Sequence, residues 1–413
     1  MHGATGTHSI VSPADGHVVA VRPLADRGTI DRALDRARTA QKHWRAVPLA
    51  ERKAVCGRFI DAFVARGDAI AAELSAQMGR PVSQTPGEIR GFADRGRAMI
   101  ALAEDALAPV RPDPIAGFER FVKREPLGVI YVIGAWNYPY LITVNSVVPA
   151  LLAGNAVVLK QAPQTLLCAE RFAEAFAEAG LPEGVFQYLH LSNEDAEAVI
   201  GDPRVDFIAF TGSVATGHKV VQAASRRFAG VGLELGGKDP AYVRADADLD
   251  HAVANLVDGA FFNSGQSCCA IERIYVDASI HDQFIDRFAA LTRQYRLGNP
   301  LDGATTLGPL VNARAAEFVR GQIAAAKAAG ARALIDERAF PASVAGTPYL
   351  APQVLVGVDH AMDVMRNESF GPVIGIMKTG SDQEALGLMN DSPYGLTASI
   401  WTRDTEAARR LGD

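Results

Sequence analysis

Cysteine is scarce in this chain: four in 413 residues, at Cys56, Cys168, Cys268 and Cys269. So few thiols cannot staple a chain of this length, and no CxxC or His-rich cluster offers metal-ligand spacing. A disulfide framework is excluded, no metal is expected, and the compartment expected is reducing and cytoplasmic. A basic excess is missing too. Lys and Arg number 41 against 47 Asp and Glu, a formal charge of −6, whereas a general nucleic-acid binder carries a basic surplus or stripe. The histidines are scattered without an HExxH, and no GxSxG anchors a serine triad. Residues Met1 to His17 lack the basic start and apolar run of a signal peptide.

Charge is absent altogether from Pro126 to Leu159, a run long enough to span a membrane. It holds Asn137, Pro139, Asn145, Pro149 and Gly154-Asn155, which would leave polar amides and broken backbone in lipid. A buried strand, a loop, a short helix and a second buried strand account for it better. No membrane or nucleic-acid partner is expected.

What is present fits a globular chain of two or three domains at ~150 residues each. After Arg27 the texture is helical: Ile30, Ala33, Leu34, Ala37 and Ala40 recur at helical spacing, as do Phe59, Ile60, Phe63 and Val64, with Gly79 and Pro81 as stops. The segment Ala108–Lys123 carries Pro109, Pro112, Pro114 and Gly117, which predicts a hairpin. From Leu127 strands and helices alternate: Leu127–Ile133, Ala156–Leu159, a helix near 165–179, Phe207–Phe210, a further helix, and Val231–Leu235. Past Gly237 the alternation resumes, with helices near His251–Phe262, His281–Tyr295 and Ala313–Ala329 and strands at Ile271–Val276, Pro372–Lys378 and Leu396–Trp401. Strand, turn, helix and strand in series predict right-handed crossovers and parallel sheets, an α/β fold.

Four stretches carry candidate chemistry. Gly265-Gln266-Ser267-Cys268-Cys269 has small polar flanks that suit an exposed turn, so Cys268 reads as a nucleophile or as a small buried hydrophobe. Glu234 lies inside an apolar strand run and should face desolvation, the condition that makes a carboxylate a general base or a member of a buried ion pair. Phe210-Thr211-Gly212-Ser213 joins a strand to a helix, where Gly212 permits close backbone approach and Ser213 sits among free helix-start N–H groups able to bind phosphate. This is not GxGxxG; the nearest match, Gly230-Val231-Gly232 with Gly236, has the wrong spacing. Trp136 and Asn137 follow the strand 127–133, and the Asn137 amide reads as an oxyanion donor or a loop amide.

Taken together, and in order, these stretches resemble the NAD(P)-dependent aldehyde dehydrogenase superfamily. The resemblance rests on Gly134-Ala135-Trp136-Asn137-Tyr138-Pro139, Pro149–Asn155 with Lys160, Phe210–Ser213, Leu233-Glu234-Leu235-Gly236-Gly237-Lys238, Gly265–Cys268 and Glu368-Ser369-Phe370-Gly371-Pro372, which run over nearly the whole chain. It implies a Rossmann-type cofactor domain over 1–106 and 126–235, a projecting oligomerisation hairpin over 107–125, and an α/β catalytic domain over 236–413. It implies oxidation of a small-molecule aldehyde by NAD or NADP, with Cys268 as nucleophile, Asn137 as oxyanion donor and Glu234 as general base. Lys160 would contact the adenosine ribose, Trp136 and Ser213 the pyrophosphate, Glu368 the nicotinamide ribose and Phe370 the nicotinamide. Cys269 would be a packing neighbour.

Two departures stand out. At Pro163, three positions beyond Lys160, NAD-preferring members often carry a glutamate that binds the ribose 2′-hydroxyl, so the choice between NAD and NADP is left open. Family members also continue past Asp413 with a segment that completes the catalytic domain and the oligomer sheet, so a C-terminally short member is expected, its homo-oligomer in doubt. The alternatives are a catalytically impaired cofactor-binding paralogue and a cysteine esterase.

Overall fold

The computed structural model describes residues 6–413. The chain divides into two units. One comprises the described part of Met1–Val11 with His17–Gln77 and Thr85–Leu235; the other comprises Ser12–Gly16, Met78–Gln84 and Gly236–Asp413. The short segments 12–16 and 78–84 group with the second unit.

The first unit opens with an antiparallel pair, β1 (Thr7–Val11) and β2 (Val18–Pro23), in which His8 stands opposite Arg22. Helix α1 (Arg27–Trp44) starts at Asp26, whose carboxylate accepts the N–H of Thr29, and buries Ile30, Ala33, Leu34 and Ala37 on one stripe. Next come α2 (Leu49–Val64), α3 (Gly67–Met78) and α4 (Thr85–Leu107). The helical stretch expected to run on to Gly79 is thus two helices, broken at Ala65-Arg66. Then β3 (Val129–Ile133), α5 (Pro139–Leu152), β4 (Ala156–Lys160), α6 (Leu167–Glu178), β5 (Phe186–Tyr188), α7 (Asn193–Gly201), β6 (Phe207–Thr211), α8 (Val214–Ala224) and β7 (Gly230–Glu234) alternate.

Strands β3–β7 form one parallel sheet in the order β5-β4-β3-β6-β7. Both faces are covered, which is why β3 and β4 are apolar at nearly every position and buried throughout. One face packs Ile30, Leu34, Val199 and Val220 against Val129, Tyr131 and Val158. Elsewhere in the unit an aromatic cluster centres on Phe59, which stacks on Phe176 with centroids 3.6 Å apart and meets Phe92 edge-on at 5.7 Å. The uncharged run 126–159 is β3, a loop, α5 and β4; among the described residues no helix is long and apolar enough to cross a membrane. Between α4 and β3 the predicted hairpin appears as antiparallel bridges Val110–Val122 and Ile115–Phe118, with Phe118, Phe121 and Val122 exposed.

The second unit runs β8 (Asp239–Val243), α9 (Leu249–Phe261), β9 (Ile271–Asp277), α10 (His281–Thr292), α11 (Ala313–Ala328), β10 (Arg332–Ala333), β11 (Gln353–Val356), α12 (Asp363–Arg366), β12 (Val373–Thr379), α13 (Asp382–Asn390), β13 (Ser399–Trp401) and α14 (Thr405–Gly412). Its sheet has the order β10-β11-β12-β9-β8-β13, parallel except for the β10–β11 pair.

Candidate active site

In the first unit the sequence-predicted residues gather at one edge of the β3–β7 sheet. Parallel strands present their carboxyl ends together, and open α/β sheets bind ligands just beyond that edge where the strand order reverses. Beyond β3 lie Trp136 and buried Asn137; at the end of β4 lies Lys160; beyond β6 lie Gly212 and Ser213; at the end of β7 lies Glu234. The loop after β3 is tied to β4: the Gly134 N–H donates to the Lys160 carbonyl at 3.0 Å, and the Gln161 amide donates to the Ala135 carbonyl at 2.7 Å. Pro139 opens α5 at its first turn, where a missing N–H costs nothing. The buried Glu88 carboxylate accepts the next N–H groups, from Tyr140 at 2.8 Å and Leu141 at 3.2 Å, so the backbone that carries Asn137 is fixed at both ends.

Lys160 is the strongest ligand signal in this unit. It is 7% exposed, burial lowers its pKa, and its ammonium makes no hydrogen bond or ion pair among the described residues. A buried charge is normally paired. An ammonium placed this way is able to donate to an oxygen-rich group such as a ribose or a phosphate. Gly212 packs against the Phe210 ring, which a Cβ there would meet at 2.6 Å. Pro163 is half-buried and begins a 3-10 turn.

Two expectations need correction. Glu234 is exposed, not desolvated. Its strand β7 is the sheet edge, with one neighbour only, so an apolar run there does not imply burial. The Ser213 hydroxyl, expected among free helix-start N–H groups, caps its own helix: it accepts the Thr216 N–H at 3.3 Å and lies 3.0 Å from the Thr216 hydroxyl.

In the second unit, Cys268 follows a left-handed turn. Asn263 (φ 52°), Ser264 (φ 56°) and Gly265 (φ 71°) are consecutive left-handed residues, a strained run that persists because its side chains are stapled. Asn263 accepts from Arg80 at 3.1 Å and donates to the Gln266 carbonyl at 3.1 Å; Ser264 donates to the Gly308 carbonyl at 2.8 Å; Gln266 accepts the Val311 N–H at 2.8 Å. The turn sets the Cys268 carbonyl against Gly237, so close that a Cβ there would collide with it. Gly236 likewise leaves no room for a Cβ beside the Glu368 carboxylate, and the Gly237 N–H donates to Glu368 at 3.1 Å.

Cys268 is half-buried and Cys269 exposed, and the two thiols interact. Contact between them favours one negative charge over two. The hydrogen bond between the thiols means that ionising one raises the other; burial and the carboxylates Asp239 and Glu368 also push Cys268 up. Cys269 is thus a direct neighbour of Cys268, and its thiol acts on the Cys268 thiol electrostatically. Glu368 is pushed up to about 7, by burial and then by the neighbouring Glu272 carboxylate.

Sequence reasoning missed the group that shapes the loop 368–370. Buried Glu272 accepts the N–H groups of Ser369 at 2.8 Å and Phe370 at 2.9 Å. Lys238, also buried, donates to Glu272 at 2.5 Å and to the Ser369 hydroxyl at 3.1 Å. Phe370 is thereby held at φ 52°, which a bulky residue seldom adopts. The available signal was the Glu272-Arg273 pair in the otherwise apolar strand Ile271–Val276. Among the described residues, no group of three His, Cys, Asp or Glu side chains has the geometry to hold a metal.

The motif order and the parallel sheet agree with what the chain is similar to. The model of the aldehyde dehydrogenase family matches residues 1–413. The chain belongs to the aldehyde dehydrogenase family. Membership makes it an oxidoreductase acting on aldehydes. It is 36% identical to a 3,6-anhydro-alpha-L-galactose dehydrogenase from Streptomyces coelicolor, over 99% of this chain and 83% of that protein. It is also 36% identical to a betaine aldehyde dehydrogenase from Agrobacterium fabrum, with the same two coverages. Among solved structures, an NADP-dependent glyceraldehyde-3-phosphate dehydrogenase from Bacillus halodurans complexed with NADP is 34% identical, with a TM-score of 0.91, over 98% of this chain and 85% of that one. The aldehyde dehydrogenase fold is thus shared along the whole described length.

Proposed function

We propose that the protein oxidises an aldehyde to a carboxylic acid with NAD or NADP, through covalent catalysis at Cys268. The first unit is then the cofactor-binding domain, the hairpin 107–125 the element that pairs with a second copy, and 236–413 the catalytic domain. The four free thiols suit a reducing compartment such as the cytoplasm.

The observation that carries this reading is the shared sheet edge: Trp136, Lys160, Gly212 and Ser213 all lie at or just beyond carboxyl ends of parallel strands, and Lys160 is buried without a partner among the described residues. Lys160 would hold the adenosine ribose, Trp136, Gly212 and Ser213 the pyrophosphate, and Glu368 the nicotinamide ribose beside Phe370. When bound, the dinucleotide supplies the hydride acceptor. The chain does the rest. The Cys268 thiolate attacks the carbonyl carbon to form a thiohemiacetal. The Asn137 amide and the Cys268 N–H stabilise the oxyanion. Loss of hydride from that carbon leaves a thioester on Cys268. Glu234, whose exposure leaves it open to water, takes a proton from the water that hydrolyses the thioester, releasing acid and free thiol.

An aldehyde panel assayed at the NAD(P)H absorbance band tests this. Aldehyde turnover that strictly requires cofactor is expected. Ester turnover alone, indifferent to cofactor, would make the protein a cysteine esterase instead.

A further inference from the structure

His8, on the N-terminal strand β1, faces the end of β4. Strand β1 packs on the 3-10 turn Pro163–Thr165 that follows Lys160, with Ile10 against Leu166 and Leu167. The imidazole faces the Pro163 backbone and lies within electrostatic reach of Lys160 and His190. His190 comes from the far side: its neighbour Leu189 donates to the Leu159 carbonyl at 2.9 Å, which sets it beside the end of β4.

The charged and titratable groups around His8 can be named element by element. Across β2 stands Arg22, whose guanidinium is bound to Glu170 of α6 at 2.6 and 2.9 Å. Glu170 also pairs with His190 at 3.1 Å, and these two partners, working against burial, hold its carboxylate at about 2. Tyr188 of β5 lies beside His190, ring centroids 5.1 Å apart. From β4 comes Lys160, buried and unpaired. Arg22 and Glu170 neutralise each other, so Lys160 is left without a counter-charge among the described residues, and position 163 offers no carboxylate. His190 Nδ1 is buried with no hydrogen-bond partner among the described residues.

This arrangement is unbalanced toward an anion that the chain itself does not provide. A sugar 2′-phosphate carries about −1.5 to −2 at neutral pH. We propose that His8 is a cofactor-specificity residue: with Lys160 it receives the 2′-phosphate of NADP, and it takes up a proton as that phosphate binds. The proposal rests on the reading that this sheet edge holds the adenosine end of the dinucleotide.

The sign follows from the neighbours. In the free protein, burial lowers the His8 pKa, the Pro163 carbonyl opposes this, and Lys160 and His190 add to the lowering. A phosphate placed between His8 and Lys160 reverses the balance and favours the protonated imidazole. NADP binding must then strengthen relative to NAD as pH falls through the range between the two states, because NAD, which has only a hydroxyl there, gains nothing from His8. Glu368 acts on both cofactors equally and drops out of the ratio.

The test is calorimetric titration of the full chain with NADP and with NAD from pH 8.5 to about 6.5, above the second ionisation of a phosphate near 6. The NADP-to-NAD affinity ratio should rise about tenfold over this window, as one unit of pKa shift requires. Runs in buffers of different ionisation heat should show a more positive proton uptake with NADP than with NAD, the Glu368 contribution being common to both. In His8→Asn, and in His8→Gln as a second variant, the rise in the ratio and the difference in proton uptake should vanish while NAD affinity is unchanged. If NAD binds but the ratio is flat in the wild type, or keeps its slope in both His8 variants, His8 is not the specificity residue and the cofactor reading stands. A slope lost only in His190→Gln overturns the proposal in the same way. If neither dinucleotide binds at any pH, the cofactor reading fails and takes this proposal with it.

Discussion

Lys238 and Glu272 form an ion pair buried on both sides, Nζ to Oε2 at 2.5 Å, and the same carboxylate accepts the backbone N–H groups of Ser369 and Phe370. Replacing one partner strands the other. Glu272→Gln would leave the Lys238 ammonium in a low-dielectric site and weaken both loop hydrogen bonds. Breaking a buried pair in this way typically costs about 3–5 kcal/mol. The unfolding free energy from urea titration should fall by that amount, through a lower midpoint at an unchanged slope, and KM for the dinucleotide should rise as the Glu368–Phe370 loop loosens. A midpoint within experimental error of wild type would show that Glu272 does not hold the loop.

Glu368 makes a pH prediction of its own. Its folded pKa of about 7 lies above the ordinary carboxyl value of 4.5. Between those values the folded state holds a proton that the unfolded state has lost, so stability falls as pH rises from 4.5 to 7. Glu368→Gln removes this penalty and should stabilise the protein at pH 8, by on the order of 2–3 kcal/mol. Cofactor binding runs the other way. Ribose hydroxyls donate to the charged carboxylate, so the affinity for both NAD and NADP should decline as pH drops below about 7. If Glu368→Gln is neither more stable nor weaker in binding, the carboxylate is not the buried ligand described.

For the cysteine pair, the expected phenotypes are unequal. Cys268→Ala should abolish dehydrogenase turnover and leave dinucleotide binding nearly intact. Cys269→Ala should keep turnover but move its pH profile. Removing Cys269 takes away the neighbour that most raises the Cys268 pKa, so Cys268 should ionise at lower pH and the rising limb of the profile should shift to the acid side. Reversed phenotypes would exchange the two roles.

How much of this is legible in the sequence depends on where burial comes from. The strands ahead of Trp136 and Lys160 are read correctly because a parallel strand covered on both faces must be apolar at every position. The run around Glu234 has the same look, yet β7 is an edge strand and its carboxylate is exposed; a strand's place in the sheet order is not a local property. Strands β5 and β11, with 3 and 4 residues, are too short to show a period. The Lys238–Glu272–Ser369 group joins residues 34 and 97 positions apart, so no local pattern discloses it. Arg80 on Asn263, at a separation of 183, is the same case.

Position 163 gives the simplest switch of cofactor preference. Pro163→Glu would place a carboxylate beside Lys160, where it accepts from a ribose 2′-hydroxyl and repels a 2′-phosphate. NADP affinity should drop relative to NAD by ~1–3 kcal/mol, the scale for a clashing or unpaired charged group. An unchanged ratio in equilibrium titration would move the adenosine ribose away from residue 163.

The central claim is that aldehyde oxidation passes through a thioester on Cys268 that Glu234 helps to hydrolyse. Glu234→Gln keeps the shape and removes the base, so acylation should survive while steady-state turnover falls by about 10²–10⁴-fold. Peptide mass analysis of this variant, quenched after mixing with aldehyde and dinucleotide, is the most direct test. The account predicts an acyl group on Cys268 in amounts matching a burst of NAD(P)H. Wild-type turnover, a burst without an adduct, or an acyl group on Cys269 would contradict it.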